Sequence, residues 1–450
     1  MNILVDSCSY NCQNVGDLAM LTVAVSRLRE LWPRAEIAVI TNAPDRVARQ
    51  CHAVTTVPVR GRRLLLDNRA LGPARRWLPE GIAEPWDRLE RQLLLRRPRL
   101  VGASLALKAT LGGRSAADAT AFLDAIDRAD LVVVNGAGVI TDAFRENALG
   151  ILTTLDLATR GGIPTAVFGQ GLGPIDDPVL WQRAAQVLPH VGIIGVRESR
   201  TSVPLLASLG VCPDKVVVTG DDAVELAFSA WRTRTNVRSS RVPKIGVNVR
   251  VASYADVATD MLSDLRAALT AAAADHGAWM TPIPIAHHGG RMDVDTLRGL
   301  LAGLGETDGG ASLDTPQLVI DRVGECRVVV TGSYHGAVFA LAQGIPVVAL
   351  VKSPYYVNKM AGLRDQFGIG CELVRLDEGN VSERIRAAID RAWAEGERVR
   401  VPLLQAAAEQ IERGRRAYAR LVELVTPADG SRAVDGLDAQ QQVRGREGGV

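Results

Sequence analysis

The chain has 450 residues, of which 47% are hydrophobic and 23% are charged, and its net charge is +2. This balance is typical of a globular protein and lacks the basic excess of a nucleic-acid-binding protein, so no nucleic-acid partner is expected. The length predicts two or three domains, because single cores rarely exceed about 250–300 residues. No apolar run reaches the roughly 20 residues of a membrane-spanning helix, and no secretory signal is predicted. We expect a cytoplasmic protein, with peripheral contact at the inner face of the membrane left open.

The amino-terminal half alternates short apolar strands with helices. Strands are predicted at 2–6, 36–40, 131–134, 165–168, 192–197 and 216–218. Such alternation is typical of an α/β domain with a parallel sheet, here at residues 1–228. A helical insertion is expected at about 60–125. Its arginine-rich stretch at 60–99 fits either a solvated helical subdomain or a surface that contacts an acceptor or a lipid.

The second half repeats the pattern after a polar run. Residues 229–242 predict a linker, and a new strand–helix series from Lys244 predicts a second α/β domain at 243–400. We therefore expect two Rossmann-like domains with parallel sheets that face each other across a cleft. A helix is predicted at 401–425. The tail at 426–450 is rich in Gly, Gln, Asp and Arg, and is predicted to be disordered.

His335 stands where a valine-rich strand passes into a helix. The strand ends in Thr-Gly-Ser, and the helix is predicted to end at Gly344. In an open α/β sheet this is the edge that binds ligands, and the amides that open the helix favour an anion. An imidazole there suits proton transfer near neutral pH. A phosphate-binding imidazolium and a histidine of the core are the alternatives.

Other polar residues lie after predicted strands or at helix starts. Arg197 and Arg250 each end a strand, and a guanidinium suits phosphate or carboxylate, with an ion pair or an exposed surface position as the alternative. Asp17 opens a helix, where it would act on an acceptor hydroxyl or cap the helix. Gln170 would bind a ligand or stabilise its loop. Tyr334 would stack on a sugar or pack between domains.

The glycine-rich turns suit close approach of backbone to a ligand. They include Gly136, Gly138 and Gly171. They match neither a G-x-G-x-x-G fingerprint nor a P-loop, so no nucleotide cofactor is predicted. The six cysteines are scattered, with no C-x-x-C pair and no zinc spacing, so reduced thiols and no metal are expected.

Together these segments resemble the polysaccharide pyruvyl transferase family. The similarity runs from residue 2 to about 363 and rests on the order and spacing of several short motifs. They are Asn-Val-Gly-Asp at 14–17, Asn-Gly-Ala-Gly at 135–138, Gly-Gln-Gly-Leu-Gly-Pro at 169–174, Val-Arg-Glu-Ser at 196–199, Gly-Asp-Asp-Ala at 220–223 and Ser-Tyr-His-Gly at 333–336.

The resemblance implies a fold of the two-Rossmann type called GT-B. It also implies transfer of the pyruvyl group of phosphoenolpyruvate to two hydroxyls of a sugar or a lipid-linked glycan, forming a ketal without a cofactor. Arg197 would bind the donor, and Asp142 would be a second candidate base. Many members carry arginine two residues before the histidine, where this chain has Ser333. Another cation would then hold the donor, and the candidates are Lys359, Lys352 and Arg250.

Two rival functions remain open. A GT-B-like glycosyltransferase that uses a nucleotide sugar would need the same architecture and the same anion-binding helix start. A binding protein without catalytic activity would retain the fold, with Ser333 marking the loss of the arginine.

Overall fold

The structure is a computed structural model that describes residues 1–67, 79, 82, 117–234, 242–249, 261–287 and 293–426. Arg250, the predicted tail from residue 427, residues 235–241 of the predicted linker and most of the predicted insertion lie outside the described residues.

The described strands form two parallel sheets, one of seven strands and one of five. The first contains β1 (Asn2–Asp6), β2 (Glu36–Thr41), β3 (Val54–Pro58), β4 (Leu131–Asn135), β5 (Thr165–Gln170), β6 (Ile193–Val196) and β7 (Val216–Val218). The second contains β8 (Lys244–Asn248), β9 (Trp279–Pro282), β10 (Val328–Thr331), β11 (Val347–Val351) and β12 (Cys371–Arg375).

The described helices follow the strands along the chain. They are α1 (Val15–Leu31), α2 (Pro44–Gln50), α3 (Val59–Asp67), α4 (Ala117–Asp127), α5 (Arg145–Arg160), α6 (Pro178–Val187), α7 (Ser202–Ser208), α8 (Ala223–Thr233), α9 (Met261–His276), α10 (Asp293–Leu300), α11 (Pro316–Val323), α12 (Tyr334–Leu341), α13 (Pro354–Phe367) and α14 (Val381–Val425).

The strand order places the segments that follow β1 and β10 at the points where the order of each sheet reverses. The first sheet runs β3-β2-β1-β4-β5-β6-β7, so its order reverses between β1 and β4. The second runs β12-β11-β10-β8-β9 and reverses between β8 and β10. Loops that leave β1 and β10 diverge from their neighbours at these points, which opens the crevice where doubly wound folds bind ligands.

Alternating side chains of the first sheet build two cores. Ile3 and Val5 of β1 pack with α1, α2 and the end of α14, whereas Leu4 packs with α3 and α4. Helices α5, α6 and α7 cover the remainder of that second face. Since successive strand residues point to opposite faces, one short apolar strand supplies both cores.

Backbone hydrogen bonds join the two domains beside the cleft. Asn14 forms an isolated antiparallel bridge with Ala286. The Val15 amide donates to the Ile285 carbonyl at 2.9 Å, and the His287 amide donates to the Gln13 carbonyl at 2.8 Å. These bonds fix the start of α1, from the first domain, against the loop after β9 in the second.

Helix α14 starts earlier than the sequence predicts. It is continuous from Val381 to Val425 and contains Pro402, near which the predicted helix began. A proline inside a helix costs about 3 kcal/mol, because it lacks the amide hydrogen and its ring crowds the preceding turn. The buried side chains of Val399 and Leu403 on either side offset this cost by packing against the core.

Helix α8 extends into the stretch predicted as a linker. It continues to Thr233, and Ala230 is buried. The stretch predicted as a linker therefore begins inside a packed helix. The alanines of α8 contact the core that α1, α11 and α12 share.

A buried ion cluster holds α1, α8 and α14 together. The Arg27 guanidinium on α1 contacts Asp222 at 2.7 Å and Glu225 at 2.6 Å, and Tyr418 on α14 donates to Asp222 at 3.0 Å. A Cβ added at Gly414 would lie 2.8 Å from the Arg27 guanidinium, so a larger residue there would displace this side chain.

We expect Arg27→Ala to lower the free energy of unfolding by about 3–5 kcal/mol, because Asp222 would stay buried without its cation. Urea denaturation measures this change. The control is Arg34→Ala, an exposed arginine near the same helix, which should change stability by less than about 0.5 kcal/mol. Equal stability of the two variants would contradict the assigned role of the cluster.

Candidate active site

His335 lies in the first turn of α12, directly after β10. Ser333 precedes the helix with an extended backbone, and its amide donates to Thr331 Oγ1 at 2.9 Å. The imidazole is only 3% exposed. A Cβ added at Gly16 of α1 would lie 2.0 Å from His335 Cγ, so only glycine allows the two domains to approach this closely.

The imidazole sits between two carboxylates from the other domain. His335 Nδ1 is 3.9 Å from Asp17 Oδ1, and Nε2 is 3.7 Å from Asp221 Oδ2. These distances exceed hydrogen-bond length, and Nε2 is buried with no hydrogen-bond partner among the described residues. Each ring nitrogen can therefore form a hydrogen bond with a ligand group that enters the site.

Burial keeps this imidazole neutral. Desolvation is the largest cause and lowers the pKa of His335 well below 6.5, and the charges of Arg197 and Lys359 lower it further. At neutral pH in the unliganded protein, His335 is therefore a proton acceptor rather than a proton donor.

The pKa of Asp17 is shifted in the opposite direction from that of His335. Asn14 caps α1, its side chain accepting from the Gly16 and Asp17 amides, which aims Asp17 into the cleft. Burial is the largest cause that raises the pKa of Asp17, to about 6, although a hydrogen bond from Ser9 and the charge of Lys359 act against it. Asp17 therefore exchanges its proton near physiological pH.

Arg197 directly follows β6 and is 2% exposed. Its Nη1 contacts Asp221 Oδ2 at 3.3 Å, and its guanidinium carbon lies 4.3 Å from the centre of the Tyr334 ring. The predicted alternative of an ion pair is thus real, and its partner is Asp221. This pair links Arg197 to the imidazole through one carboxylate.

The predicted glycines make room for this arginine. A Cβ at Gly138 would lie 2.0 Å from Arg197 Nη2, and one at Gly171 would lie 2.8 Å from Nε. Gly136 is different: a Cβ there would lie 2.0 Å from the Gly169 carbonyl oxygen, so it allows two loops to cross. The close approach that the glycine allows here is to backbone, and a contact of Gly136 with a ligand stays a prediction.

Gln170 stabilises the loop at residues 137–139, which lies against Arg197. Its side chain is fully buried, and Oε1 accepts from the Gly138 amide at 2.7 Å and from the Ala137 and Val139 amides at 3.4 Å. Nε2 lies 3.6 Å from Cys8 Sγ. Of the two predicted roles, the structure shows the one in loop stabilisation.

Two neighbouring cavities open between the domains. The His335 cavity, with about 1070 Å³ of partly solvent-filled space, is lined by residues that include Asp17, Ser333, Tyr334, His335 and Lys359. The Arg197 cavity, with about 790 Å³, is lined by residues that include Gly138, Gly171, Arg197 and Glu198. Tyr355 and Lys359 of α13 form the wall that both cavities share.

Lys359 is the predicted replacement cation that reaches the site. Its Nζ lies 5.0 Å from the Tyr334 ring centre and 3.4 Å from Tyr355 Oη, and Tyr355 donates to the Gly138 carbonyl at 3.2 Å. Lys352 lines neither cavity, and Arg250 lies outside the described residues.

Asp142 binds backbone in the structure. Its carboxylate accepts from the Asp176 amide at 2.6 Å and the Asp177 amide at 3.2 Å, in the loop ahead of α6, and it lines neither cavity. The role of Asp142 as a candidate base stays a prediction.

The structure adds functional residues that sequence reasoning missed. Asp221 is part of the Gly-Asp-Asp-Ala motif but not among the predicted site residues, yet its carboxylate pairs with Arg197 at 3.3 Å and lies 3.7 Å from His335 Nε2. Its place after β7, in the same motif as Asp222, was the available signal. Glu198 accepts hydrogen bonds from Ser202 and Thr201. Burial raises the pKa of Glu198, but these hydrogen bonds outweigh that effect and lower the pKa below its ordinary value.

The described residues contain no group of three His, Cys, Asp or Glu side chains that could hold a metal. Within the same residues, no helix combines the length and hydropathy that crossing a bilayer requires.

The raised pKa of Asp17 predicts that the stability of the fold depends on pH. Folding shifts this pKa up from 3.8 to about 6, so stability falls as pH rises between these values. We expect Asp17→Asn to be more stable than the wild type at pH 8, by at most about 3 kcal/mol. The gain should vanish below pH 4. Thermal midpoints across this pH range test it, with exposed Asp124→Asn as control; a gain independent of pH would contradict the assignment.

Three solved structures share the fold. UDP-GlcNAc 2-epimerase from Methanocaldococcus jannaschii has a TM-score of 0.54 at 11% identity, covering 94% of this chain and 99% of that chain. The Neisseria meningitidis enzyme of that name, bound to UDP-GlcNAc, has a TM-score of 0.53 at 11% identity, with coverage of 94% and 99%. The glycotransferase of kitacinnamycin has a TM-score of 0.51 at 15% identity, with coverage of 95% and 99%. These similarities confirm the predicted GT-B-like fold.

The family is shown by the sequence itself. No curated protein matches the chain. The family profile described as polysaccharide pyruvyl transferase matches residues 14–353, which include Asp17, Arg197 and His335. The chain therefore belongs to the polysaccharide pyruvyl transferase family and is a transferase by membership.

Proposed function

We propose that this protein transfers the pyruvyl group of phosphoenolpyruvate to two hydroxyls of a glycan acceptor and forms a cyclic ketal. One observation carries the proposal: a neutral, buried imidazole lies 3.9 and 3.7 Å from two carboxylates, beside two cations in an interdomain cleft. Membership of the family supports the same reaction.

The donor needs cations at the shared wall of the two cavities. Phosphoenolpyruvate carries a carboxylate and a phosphate, about −2.5 to −3 in charge near pH 7. Lys359 lines both cavities, and Arg197 lines the Arg197 cavity together with it. The first amides of α12, beside Ser333, add a partial positive charge. Lys359 takes the place that arginine would hold at position 333.

Asp17 acts first as the acid. Its pKa of about 6 leaves part of the population protonated near neutral pH, so it can protonate the C3 methylene carbon of the donor. Positive charge then develops at C2. The buried carboxylate of Asp221 lies close enough to the imidazole to stabilise the imidazolium that forms next.

His335 acts as the base. It accepts the proton of the first acceptor hydroxyl as that oxygen bonds to C2. The C2–O bond to phosphate then breaks, and inorganic phosphate leaves with the bonding electrons. The second hydroxyl bonds to C2 and closes the ketal. His335 passes the first hydroxyl proton to the leaving phosphate and so returns to its neutral form. The second hydroxyl proton goes to the Asp17 carboxylate and restores the acid.

The His335 cavity suits a sugar acceptor. Its wall carries the amide side chains of Asn11 and Asn147 and the ring of Tyr10, close to Asp17. Amides hydrogen-bond sugar hydroxyls, and aromatic rings pack on the apolar face of a sugar. The sugar of a lipid-linked glycan would bind in the same cavity. The proposal places the reaction in the cytoplasm, where an exposed free thiol such as Cys212 stays reduced.

A nucleotide-sugar glycosyltransferase is the second candidate. The Neisseria meningitidis relative in fold is bound to UDP-GlcNAc, and a diphosphate would also suit the start of α12. Thermal midpoints with phosphoenolpyruvate and, separately, with UDP compare the two, because a ligand that binds only the folded protein raises the midpoint. Stabilisation by UDP alone would favour this candidate.

We expect His335→Ala to reduce kcat by about 10²–10⁴-fold, because the hydroxyl would lose its proton acceptor. The assay follows acceptor-dependent phosphate release from phosphoenolpyruvate and identifies the product by the mass gain of a ketal-linked pyruvyl group. The matched control is His190→Ala, an exposed histidine that lines neither cavity. Near wild-type turnover of His335→Ala would refute the catalytic assignment.

The pH profile separates the acid from the base. We expect wild-type kcat/KM to fall as pH rises above about 6, since Asp17 loses its proton there. Asp17→Asn should lower the rate about 10²–10⁴-fold and remove this contribution to the fall. The donor's phosphate also titrates near pH 6, and the variant profile retains that effect as the reference. Identical profile shapes for both proteins would exclude Asp17 as the acid.

A further inference from the structure

Arg63 is a cation on the His335 cavity that the sequence analysis did not single out. It is exposed on α3 and lines the cavity together with Ser333 and Lys359. It forms no hydrogen bond or ion pair with the described residues. An arginine on a cavity wall that has no carboxylate partner among these residues is suited to a ligand anion.

The neighbouring residue fixes the position of this arginine. Arg62 is 2% exposed, and its Nη1 contacts Asp6 Oδ2 at 2.5 Å and Thr154 Oγ1 at 3.1 Å. Its Nη2 donates to Tyr10 Oη at 2.5 Å. A buried ion pair is a poor source of net stability, but it sets the register of the element that carries it. The element here is α3.

Close packing fixes α3 on both sides. A Cβ at Gly61 would lie 2.0 Å from the Asp118 carbonyl oxygen of α4, and one at Gly150 of α5 would lie 2.8 Å from Arg62 Nη2. Only glycine at position 61 lets α3 approach the backbone of α4, whereas a larger residue at position 150 would displace the Arg62 guanidinium. The backbone of Arg63 is therefore held at the cavity rim.

Apart from Arg63, the described groups on the wall of the His335 cavity carry too little positive charge to balance the donor. The described charged groups that line it are Asp17, Arg63 and Lys359, since His335 is neutral. Arg197 is already paired with Asp221. Lys359 alone cannot balance a ligand of about −2.5 to −3. With Ser333 in place of arginine, Arg63 is the remaining cation on this wall among the described residues.

We propose that Arg63 binds one of the two anionic groups of phosphoenolpyruvate, together with Lys359, and so compensates for Ser333. This role rests on the proposed function. Arg62 is the positioning residue: its buried contacts with Asp6 and Tyr10 hold α3 beside the cavity. Arg63 is carried by α3 of the first domain and Lys359 by α13 of the second, so each domain contributes one cation to the cavity wall.

Isothermal titration calorimetry with phosphoenolpyruvate, without any acceptor, tests this proposal. We expect Arg63→Ala to raise the Kd about 10- to 100-fold, because a charge-assisted contact is lost. Arg63→Lys, which keeps the charge, should retain most of the affinity. The control is Arg60→Ala, an exposed arginine of α3 that does not line the cavity, and its Kd should stay within about twofold of wild type.

The outcomes separate this proposal from the proposed function. If wild type and Arg63→Ala bind phosphoenolpyruvate equally well, the role of Arg63 is refuted and the transferase proposal stands. The role is likewise refuted if Arg63→Ala changes only the KM of a charged acceptor, since the arginine would then bind that substrate. If the wild-type protein does not bind phosphoenolpyruvate at all, both proposals fail.

Discussion

The contact between Gly16 and His335 is the constraint on which the site depends. The missing Cβ of Gly16 lets an imidazole from the second domain reach the first turn of α1 in the first domain. The bridge between Asn14 and Ala286 holds the same two segments together in the backbone. Because the carboxylates come from one domain and the imidazole from the other, neither domain alone contains the candidate catalytic group.

Burial then gives each titratable group a different role. Desolvation lowers the pKa of His335 and raises that of Asp17, although both line one cavity. A neutral base and a partly protonated acid can therefore coexist near neutral pH, which is the arrangement that two opposite proton transfers require. The cations Arg197 and Lys359 favour the neutral imidazole while the site is empty. An anionic donor would offset that effect and let His335 accept a proton.

The sequence predicted the fold and the central histidine because both follow from local patterns. Alternating strands and helices predict parallel sheets, and a polar residue between a buried strand and a helix lies at the ligand edge. Side-chain direction is not local. Asp142 follows a strand loop, yet its oxygens bind the amides of 176 and 177. Asp221 and Arg63 come from distant segments, and only tertiary packing brings them to His335 and Ser333.

NMR titration of protein labelled with ¹³C at the histidine ring, with His335→Gln to assign the signal, reports the protonation of this imidazole. We expect a His335 ring that stays neutral at pH 6.5 in the free protein and gains a proton at a higher pH once phosphoenolpyruvate is bound. A ring that titrates near 6.5 without ligand, and that phosphoenolpyruvate does not affect, would contradict this expectation.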